Sequence, residues 1–364
     1  MPVPSAAIVQ PQKGTISVNL EPVYNALYSL TLLVRVEHTS GLGEWVTNTY
    51  QALTPEERQT QRLVIEGFHF ALFPRSYLPD FEAYLESLET MDPGDLRNRM
   101  LDAYFEMPYL GDGIDRFQST EKALRSADDY VDFLIGRFSE EYVDPELEKE
   151  AYAYIVDPAA MQELIVSHLR MMWERFLAAE WRRVQPVLAD AVKAFAATEL
   201  DGMTFTEAFH FVTDQQLSDV KWPIREEDYS RFVFVPSAHA GPYLGRFQRD
   251  QELHVFFGAR LPEGSTIQAP DLSRSELVVR LNALADDTRL RILRYVADNG
   301  EQRSQRIMSE LDLSQSTASR QLRHLCAAGF LRSRHCDGSK CYSLVEDRLR
   351  DTFHAVLAFL TISP

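Results

Sequence analysis

Helical periodicity dominates the apolar pattern of the first 230 residues. The segment EPVYNALYSLTLLVRV, residues 21–36, is apolar on nearly every side and predicts a buried helix. Thr54-Pro55-Glu56-Glu57 has the form of a capping box with proline in the first turn, which predicts a helix running towards Phe70. Asp157-Pro158 predicts a further helix, which we expect to kink or stop near Pro186. The apolar face of that helix carries Met161, Ile165, Leu169, Met172 and Phe176.

Strand-like segments are confined to the end of this region. RFVFVPS (Arg231–Ser237) and ELHVFFGAR (Glu252–Arg260) are rich in β-branched and aromatic residues. We expect them to pair as an antiparallel ribbon, with HAGPYLGRFQRDQ as the connection. The next residues, LPEGSTIQAPDLS, contain two prolines, a glycine and few large apolar side chains, as linkers do. The pattern predicts a mostly helical domain over residues 1–262, a linker over 263–273 and a second domain over 274–364.

After the linker the pattern changes to short helices separated by tight breaks. Asp286 and Asp287 can cap and charge the start of a helix through TRLRILRYVAD. The residues of this helix expected to face inward are Leu290, Leu293 and Val296. A second helix over Ser304–Leu311 breaks at Asp312-Leu313, and a third begins at Ser314, as the two helices of a helix-turn-helix do.

The third helix has an apolar stripe and a polar face. Ala318, Leu322 and Leu325 recur at helical spacing, so they lie on one side. The opposite side carries hydroxyls and an amide at its start and arginines further along, which are groups that bond base edges and phosphates in the DNA major groove. The residues expected at DNA are Ser314, Gln315, Ser316, Thr317, Ser319, Arg320, Arg323 and His324. The alternative is the solvated face of an ordinary amphipathic helix.

Two short β-segments follow the third helix, FLRSRH and KCYSL. Asp337-Gly338 lies between them and is a turn signal of a β-hairpin. This hairpin is the predicted wing, to which Arg332, Arg334 and Lys340 supply positive charge. We expect Arg334, Ser339 and Lys340 to contact DNA.

Four segments of this region resemble a known family. LADDTRLRILRYV, LDLSQSTASRQLRHL, AAGFLRSR and GSKCYSL are similar to the winged-helix core of the ArsR/SmtB repressors, over roughly residues 277–359. The resemblance implies a homodimer that recognises an inverted repeat in double-stranded DNA and is released or remodelled by an effector. The segment EQRSQRIMSEL lacks the paired cysteines of arsenic- and cadmium-sensing members. The last helix offers only Asp347, Asp351 and His354, too few for the two-histidine zinc site of other members, so we predict no metal site.

The formal charge of −17 is unevenly distributed along the chain. Residues 271–364 hold 14 Lys and Arg against 12 Asp and Glu, whereas the first 270 residues hold 23 against 42. We therefore do not expect the N-terminal region to form a second DNA-binding surface. The sequence has no apolar run of membrane-spanning length, no signal-peptide pattern at its start and only three cysteines. These features predict a cytoplasmic protein without a membrane partner.

The aromatic residues are concentrated before the linker. Of 40 aromatic residues, 35 precede position 271, including all four tryptophans. Such enrichment predicts either a pocket for an apolar or aromatic small molecule or an ordinary large helical core. Fusion to a DNA-binding module favours the pocket, because a signal must reach that module. His69, Phe70 and Trp173 are the candidate ligand contacts.

Catalytic and cofactor-binding motifs are absent from the sequence, including a Gly-rich phosphate loop, HExxH and GxSxG. Ser237 and His239 come nearest to a nucleophile and its base, but such close positions rarely bring the two groups within reach. We predict no catalytic residues, no cofactor and no enzyme activity.

All three cysteines lie in the C-terminal region. Cys326 falls near the core side of the third helix, and we expect a buried structural thiol there. Cys336 and Cys341 flank the predicted wing turn. A disulfide or shared soft-metal ligation is one interpretation of this pair, and two incidental wing residues is the other.

The sequence thus predicts a mainly α protein. A large helical N-terminal domain with a small β-hairpin region precedes a C-terminal winged helix-turn-helix. The predicted function is a DNA-binding transcriptional repressor that binds a palindromic operator as a homodimer and is gated by a small molecule in the N-terminal domain. The alternatives are a thiol- or metal-responsive repressor that switches at the wing cysteines, and a DNA-tethered protein-interaction module.

Overall fold

The computed structural model describes residues 15–37, 39, 42–111, 114–138, 140–198, 200–215, 217, 224–241, 243–260, 262, 274–336 and 339–360. The chain divides into two compact units. The first, here called the helical unit, comprises Glu21–Glu37 and Thr47–Arg183, and the second comprises Met1–Leu20, His38–Val46 and Val184–Pro364. The predicted linker, residues 263–273, lies outside the described residues, so the predicted domain boundaries on either side of it stay a prediction.

The described part of the helical unit contains helices and no strands. They are α1 (Pro22–Leu33), α2 (Glu44–Ala52), α3 (Pro55–Arg62), α4 (His69–Leu72), α5 (Phe81–Thr90), α6 (Pro93–Glu106), α7 (Thr120–Ala123), α8 (Ala127–Phe138), α9 (Pro145–Ile155), α10 (Pro158–Met172) and α11 (Ala178–Ala196), of which α2 begins and α11 ends in the second unit. Two π-helical turns, Leu63–Gly67 and Trp173–Leu177, follow α3 and α10.

Cap hydrogen bonds confirm two predicted helix starts. The Thr54 hydroxyl accepts a hydrogen bond from the Glu57 amide (3.2 Å), and the Thr54 amide donates to the Glu57 carboxylate (2.8 Å), which is the reciprocal capping box. The Asp157 carboxylate accepts from the Ala160 amide (3.2 Å) at the start of α10. The predicted apolar face of α10 is also confirmed, with Met161, Ile165, Leu169 and Met172 buried and Phe176 half-buried.

Of the predicted kink or stop near Pro186, the stop is wrong, because α11 continues through the proline to Ala196. A proline inside a helix removes one backbone hydrogen bond and costs about 3 kcal/mol. Buried residues on both sides of it, among them Val184 and Leu188, offset this cost by burying apolar surface.

The second unit begins with a four-stranded sheet. Its strands are β1 (Thr15–Val18), β2 (Arg231–Ser237), β3 (Gly245–Arg249) and β4 (Glu252–Gly258), in the order β1-β2-β4-β3. Helix α12 (Phe205–Thr213) packs on this sheet, where the rings of Phe205 and Phe232 stack with centroids 4.1 Å apart.

The predicted antiparallel ribbon is wrong, because β2 and β4 pair in parallel, from Arg231 opposite Glu252 to Ser237 opposite Gly258. The predicted connection contains the extra strand β3, which pairs antiparallel with β4. Asp250, in the left-handed conformation (φ 51°), lies in the turn between them. Strand β3 runs opposite to β2, and the β3–β4 hairpin reverses the chain again. Strand β4 therefore runs in the same direction as β2.

The last part of the second unit is the predicted winged helix-turn-helix, here called the winged helix (residues 274–360). Its elements are α13 (Arg274–Leu284), α14 (Asp287–Asn299), β5 (Gln302–Arg303), α15 (Ser304–Leu311), α16 (Gln315–Ala327), β6 (Leu331–Cys336), β7 (Ser339–Leu344) and α17 (Glu346–Phe359). The strands form a sheet in the order β5-β7-β6, in which β5 was not predicted. The predicted wing turn at Asp337-Gly338 lies outside the described residues.

The winged helix has a core of its own. Helices α14, α15 and α16 and the strands of the wing contribute Ile292, Leu293, Val296, Ile307, Ala318, Leu322, Leu325, Leu331 and Tyr342. The Asp286 carboxylate accepts from the Arg289 amide (2.9 Å), as predicted for the cap of α14. The prediction that Leu290 faces inward is wrong: its side chain is 49% exposed, and Ile292 takes the buried position.

Candidate nucleic-acid interface

Helix α16 is held by its buried stripe and by the cap at Ser314. Asp312 ends α15 in the left-handed conformation (φ 51°), which makes the tight turn between the two helices. The Ser314 hydroxyl then accepts from the Thr317 amide (3.2 Å). The predicted stripe of Ala318, Leu322 and Leu325 is fully buried. The opposite face of α16 is consequently turned to solvent.

That exposed face carries the residues predicted to contact DNA. Ser314, Gln315, Ser316, Ser319, Arg320 and Arg323 are exposed, and Thr317 and His324 are half-buried. The Ser314 hydroxyl lies 3.1 Å from the Ser316 hydroxyl and 2.9 Å from the Thr317 hydroxyl, so the first turn presents a cluster of hydroxyl groups. Among the described residues, neither Arg320 nor Arg323 has a hydrogen-bond or ion-pair partner.

His324 differs from the arginines beside it. Burial lowers the pKa of His324, and the positive charges of Arg289 and Arg320 lower it further against the opposing effect of Asp286. The imidazole is therefore neutral at pH 7. It can offer DNA a hydrogen bond but not a positive charge.

Arg289 has a structural role that the sequence did not reveal. Its guanidinium donates to the carbonyl oxygens of Ala283 (2.6 Å) and Asn282 (2.7 Å) and to the Gln321 side-chain oxygen (3.0 Å). These bonds join the end of α13 to the buried side of α16 and set the position of the helix. In the sequence, Arg289 is one of three arginines in TRLRILR and resembles a surface cation.

The wing sheet has two faces with different surroundings. Register partners in an antiparallel pair lie on the same face of the sheet. One face of the wing sheet packs on the core of the winged helix through Leu331 and Tyr342, and Ser333 and Lys340 lie on that same face. The predicted contacts Arg334 and Ser339 lie on the other face, together with Arg332 and both wing cysteines.

Carboxylates of the chain itself engage two of the three wing cations. Arg332 donates to Asp214, the residue that follows α12 (2.8 Å), and Arg334 donates to both carboxylate oxygens of Glu301 through its Nε and Nη2 groups. Lys340 lies on the face that carries the core residues of the wing. Of the three wing cations, Lys340 is therefore the one on the face whose residues Leu331 and Tyr342 pack in the same core as α16.

Helix, turn, helix and wing together are the arrangement of a known class of DNA-binding module. Residues 286–333 match the family model of the bacterial regulatory protein, arsR family. The match runs from the cap of α14 to the first strand of the wing and confirms the predicted resemblance for this part of the chain. It identifies a DNA-binding module of the kind found in transcriptional regulators. No curated protein matches the chain.

The described residues contain no group of three or more His, Cys, Asp or Glu side chains able to hold a metal ion. Within the same residues, none of the helices has the length and apolar character needed to span a membrane.

The three cysteines have two different environments. Burial raises the pKa of the Cys326 thiol to about 12, against smaller opposing effects of Lys340 and Ser333, which makes it an unreactive thiol. Cys336 and Cys341 form a disulfide, with their Cα atoms 6.0 Å apart. A disulfide was one of the predicted arrangements of the pair, beside shared soft-metal ligation and two incidental wing residues.

The predicted ligand contacts His69, Phe70 and Trp173 pack inside the helical unit. The His69 ring makes edge contacts with Phe70 (5.0 Å) and Phe73 (4.6 Å), and burial lowers its pKa to about 4. The Trp173 indole stacks on Phe81 (4.9 Å) and donates to the Glu82 carboxylate (2.9 Å). Other side chains of the helical unit thus pack against these rings.

A groove of about 610 Å³ runs along α10 in the helical unit. It is lined by Glu89, Ala159, Gln162, Glu163, Val166, Ser167, Arg170, Met171, Glu174 and Arg175. None of the three predicted ligand contacts lines it, although Met171 is close to Trp173 in sequence. Two of its guanidiniums are paired with carboxylates, Arg170 with Glu89 and Arg175 with Glu57.

Ser237 and His239 are both buried. The Ser237 hydroxyl accepts a hydrogen bond from the backbone amide of His239 (3.4 Å), and the His239 ring stacks on Trp45 (4.5 Å). The face of the His239 imidazole thus packs against the Trp45 indole.

Proposed function

We propose that this protein is a transcriptional repressor that binds a palindromic operator as a homodimer through α16 and the wing. The observation that carries the proposal is the exposed face of α16, where Arg320 and Arg323 extend beyond the first turn without a partner among the described residues. An arginine held on a rigid helix and not engaged by the protein is suited to the bidentate recognition of guanine.

The predicted contacts divide into two roles. Gln315, Ser316, Ser319 and Arg320 lie along the exposed face of α16 and are assigned to base edges. Ser314, Thr317, Arg323, His324, Ser339 and Lys340 are assigned to phosphates, which position the protein without reading sequence. Arg334 joins them when a phosphate replaces Glu301 as its partner.

Exposed apolar side chains on α13 and α17 support a homodimer. These helices pack against each other and leave Val278, Leu281 and Phe353, together with Leu360 just after α17, between 36% and 54% exposed. Apolar groups that a monomer leaves in water on two adjacent helices are typical of a subunit interface. A two-fold dimer built on them would present two copies of α16 to the two half-sites of a palindrome.

The dimer is tested by Phe353→Asp, because a carboxylate at a buried interface costs several kcal/mol unless it is paired. We expect the wild-type chain to sediment as a dimer and Phe353→Asp as a monomer. The matched control is Leu290→Asp, at another exposed apolar position of the winged helix, which should remain a dimer. A monomeric wild type, or a dimeric Phe353→Asp, would contradict the assignment.

The groove along α10 is the best-supported site for the small-molecule effector. Its volume lies in the range of drug-sized ligand sites, and Val166, Met171 and Ala159 give it an apolar part. The effector class is an apolar or aromatic molecule, as the aromatic composition of the region suggests.

Thermal unfolding of the full chain with a panel of apolar and aromatic compounds tests the effector site. A ligand that binds the folded state at 100 times its Kd stabilises it by about 2.7 kcal/mol, which raises the Tm. Ser167→Trp fills the groove and should abolish the shift, whereas Asp102→Trp, at an exposed position of α6 outside the groove, should retain it. A shift that persists in Ser167→Trp would place the effector elsewhere, and no shift with any compound would favour a protein partner.

A further inference from the structure

The wing disulfide joins two cysteines that lie diagonally across the β-hairpin. Cys336 is opposite Ser339 and Cys341 is opposite Arg334, so both cysteines lie on the face away from the core of the winged helix. Diagonal neighbours on one face of an antiparallel pair are close enough to be cross-linked. The cross-link encloses Ser339 and Lys340, which are two of the three predicted wing contacts to DNA.

The two sulfur atoms differ in access. Cys341 is 5% exposed, in the central strand β7, with Arg303 of β5 and Arg334 of β6 as its register partners. Cys336 is half-buried and is the last residue of β6. An incoming thiolate therefore meets the sulfur of Cys336 first, and the group that leaves is the Cys341 thiolate.

The third cysteine does not compete in this exchange. Cys326 lies near Ser333 and Lys340, which belong to the opposite face of the wing sheet. Its thiol remains protonated at physiological pH, so it supplies no thiolate to attack the disulfide.

We propose that Cys336–Cys341 is a thiol–disulfide exchange site whose reactants are low-molecular-weight thiols and disulfides, and that its redox state sets how firmly the wing holds DNA. The second half of the proposal rests on the proposed function. A regulator works in the compartment that contains DNA, where thiols are kept reduced and a disulfide is usually transient or redox-sensing.

Reduction of the wing disulfide takes two thiol–disulfide exchange steps. In reduction, a thiolate RS⁻ attacks the sulfur of Cys336, the S–S bond breaks, and the Cys341 thiolate leaves and takes a proton. A second RS⁻ attacks the RS sulfur of the mixed disulfide, which releases the Cys336 thiolate and RSSR. Oxidation runs in reverse, with RSSR as the oxidant and two RSH as products.

The oxidised wing should bind DNA more tightly. The cross-link restricts the hairpin end that carries Ser339 and Lys340, so less conformational entropy is lost when these side chains contact phosphates. We expect the Kd for a DNA duplex to be about 2–10-fold lower for the oxidised chain than for the reduced chain.

The experiment equilibrates the full chain in glutathione buffers of defined thiol-to-disulfide ratio. Free thiols are trapped by alkylation and located by mass spectrometry, and the Kd for a fluorescent duplex is measured on the same samples. We expect Cys336 and Cys341 to lose and regain alkylation together while Cys326→Ser behaves like wild type. Cys336→Ser with Cys341→Ser should bind like the reduced wild type in every buffer.

Three results would overturn the proposal: both wing thiols alkylated at every ratio, a Kd that does not follow the 336–341 cross-link, or a double variant that still responds. The mass measurement does not depend on DNA. A chain that forms the cross-link reversibly but binds no duplex in either state would support the exchange site and contradict the proposed function.

Discussion

The winged helix and the helical unit use their polar side chains in opposite ways. On α16, Arg320 and Arg323 are exposed and without a partner among the described residues. In the helical unit, His69 and Trp173 are turned inward and bonded to the Ile65 carbonyl oxygen and to Glu82. Polar groups that a fold leaves unsatisfied at its surface are available to another molecule, whereas satisfied ones hold the fold together.

The same contrast separates α16 from strand β6 of the wing. Both elements carry two arginines, but Arg332 and Arg334 of β6 are engaged by Asp214 and Glu301. Residue type and exposure alone would assign all four arginines to DNA. The two pairs of arginines differ because carboxylates in the described part of the chain bond those of β6 and not those of α16. Such carboxylates are abundant in an acidic protein.

The largest expected effect concerns the interior of the helical unit. Burial raises the pKa of Glu148 to about 8, aided by the negative charges of Asp144 and Glu66 and opposed by Arg62. The Glu148 Oε2 atom is buried and has no hydrogen-bond partner in the described part of the chain. We expect this carboxyl group to be protonated at neutral pH.

This group makes stability depend on pH with a defined sign. Between about pH 4.5 and pH 8 the folded chain holds a proton on Glu148 that the unfolded chain releases. The free energy of unfolding should therefore fall as the pH rises through that window, by about 4 kcal/mol for Glu148. Glu148→Gln removes the titration, so denaturant unfolding should find the variant more stable than wild type at pH 8 and equal to it near pH 4.5. An identical pH dependence in both chains would mean that Glu148 is ionised in the folded state.

The next effect tests the distinction between free and engaged arginines. Arg320→Ala should weaken binding to a selected operator by about 1–3 kcal/mol and relax its sequence preference, because a base contact is lost. The matched control is Arg332→Ala, whose guanidinium is paired with Asp214 and which should change the affinity by less than about 0.5 kcal/mol. Fluorescence anisotropy on operator and random duplexes measures both. An equal loss on the two duplexes would make Arg320 a phosphate contact instead.

The smallest expected effect concerns Lys340. Lys340→Ala should weaken binding to all sequences by a similar factor and reduce the slope of log K against log salt by about one, because one phosphate contact is lost. Arg294→Ala, which removes a cation paired with Asp298 (2.7 Å) on α14, should leave the slope unchanged. A slope that Lys340→Ala does not alter would mean that the wing does not touch the DNA backbone.

Local signals in the sequence predicted much of the winged helix. The cap at Ser314, the stripe ending at Leu325 and the β-hairpin each depend on residues a few positions apart. Signals that join distant parts of the chain were missed. Strand β1 pairs with β2 more than 200 residues later, and Arg332 bonds Asp214 across 118 positions. Neither partner can be identified from its own neighbourhood.

The missed features inside the predicted elements have a similar cause. Leu290 and Ile292 both fit an apolar helix, and only the packing of α14 against α16 and β7 decides which is buried. The residues of the short strand β3, GRFQR, are alternately half-buried and exposed, and only one of them has a large apolar side chain. Its pairing with β4 depends on the turn at Asp250 rather than on strand propensity.

The central claim is that the exposed face of α16 reads DNA sequence. Selection of bound duplexes from a random pool, carried out with the full chain and with Arg320→Ala, tests it most directly. The account predicts that wild type enriches an inverted repeat with half-sites about 10 base pairs apart, and that Arg320→Ala loses the preference at one position of each half-site. A wild-type chain that binds the pool but enriches no sequence, or a variant with an unchanged motif, would contradict it.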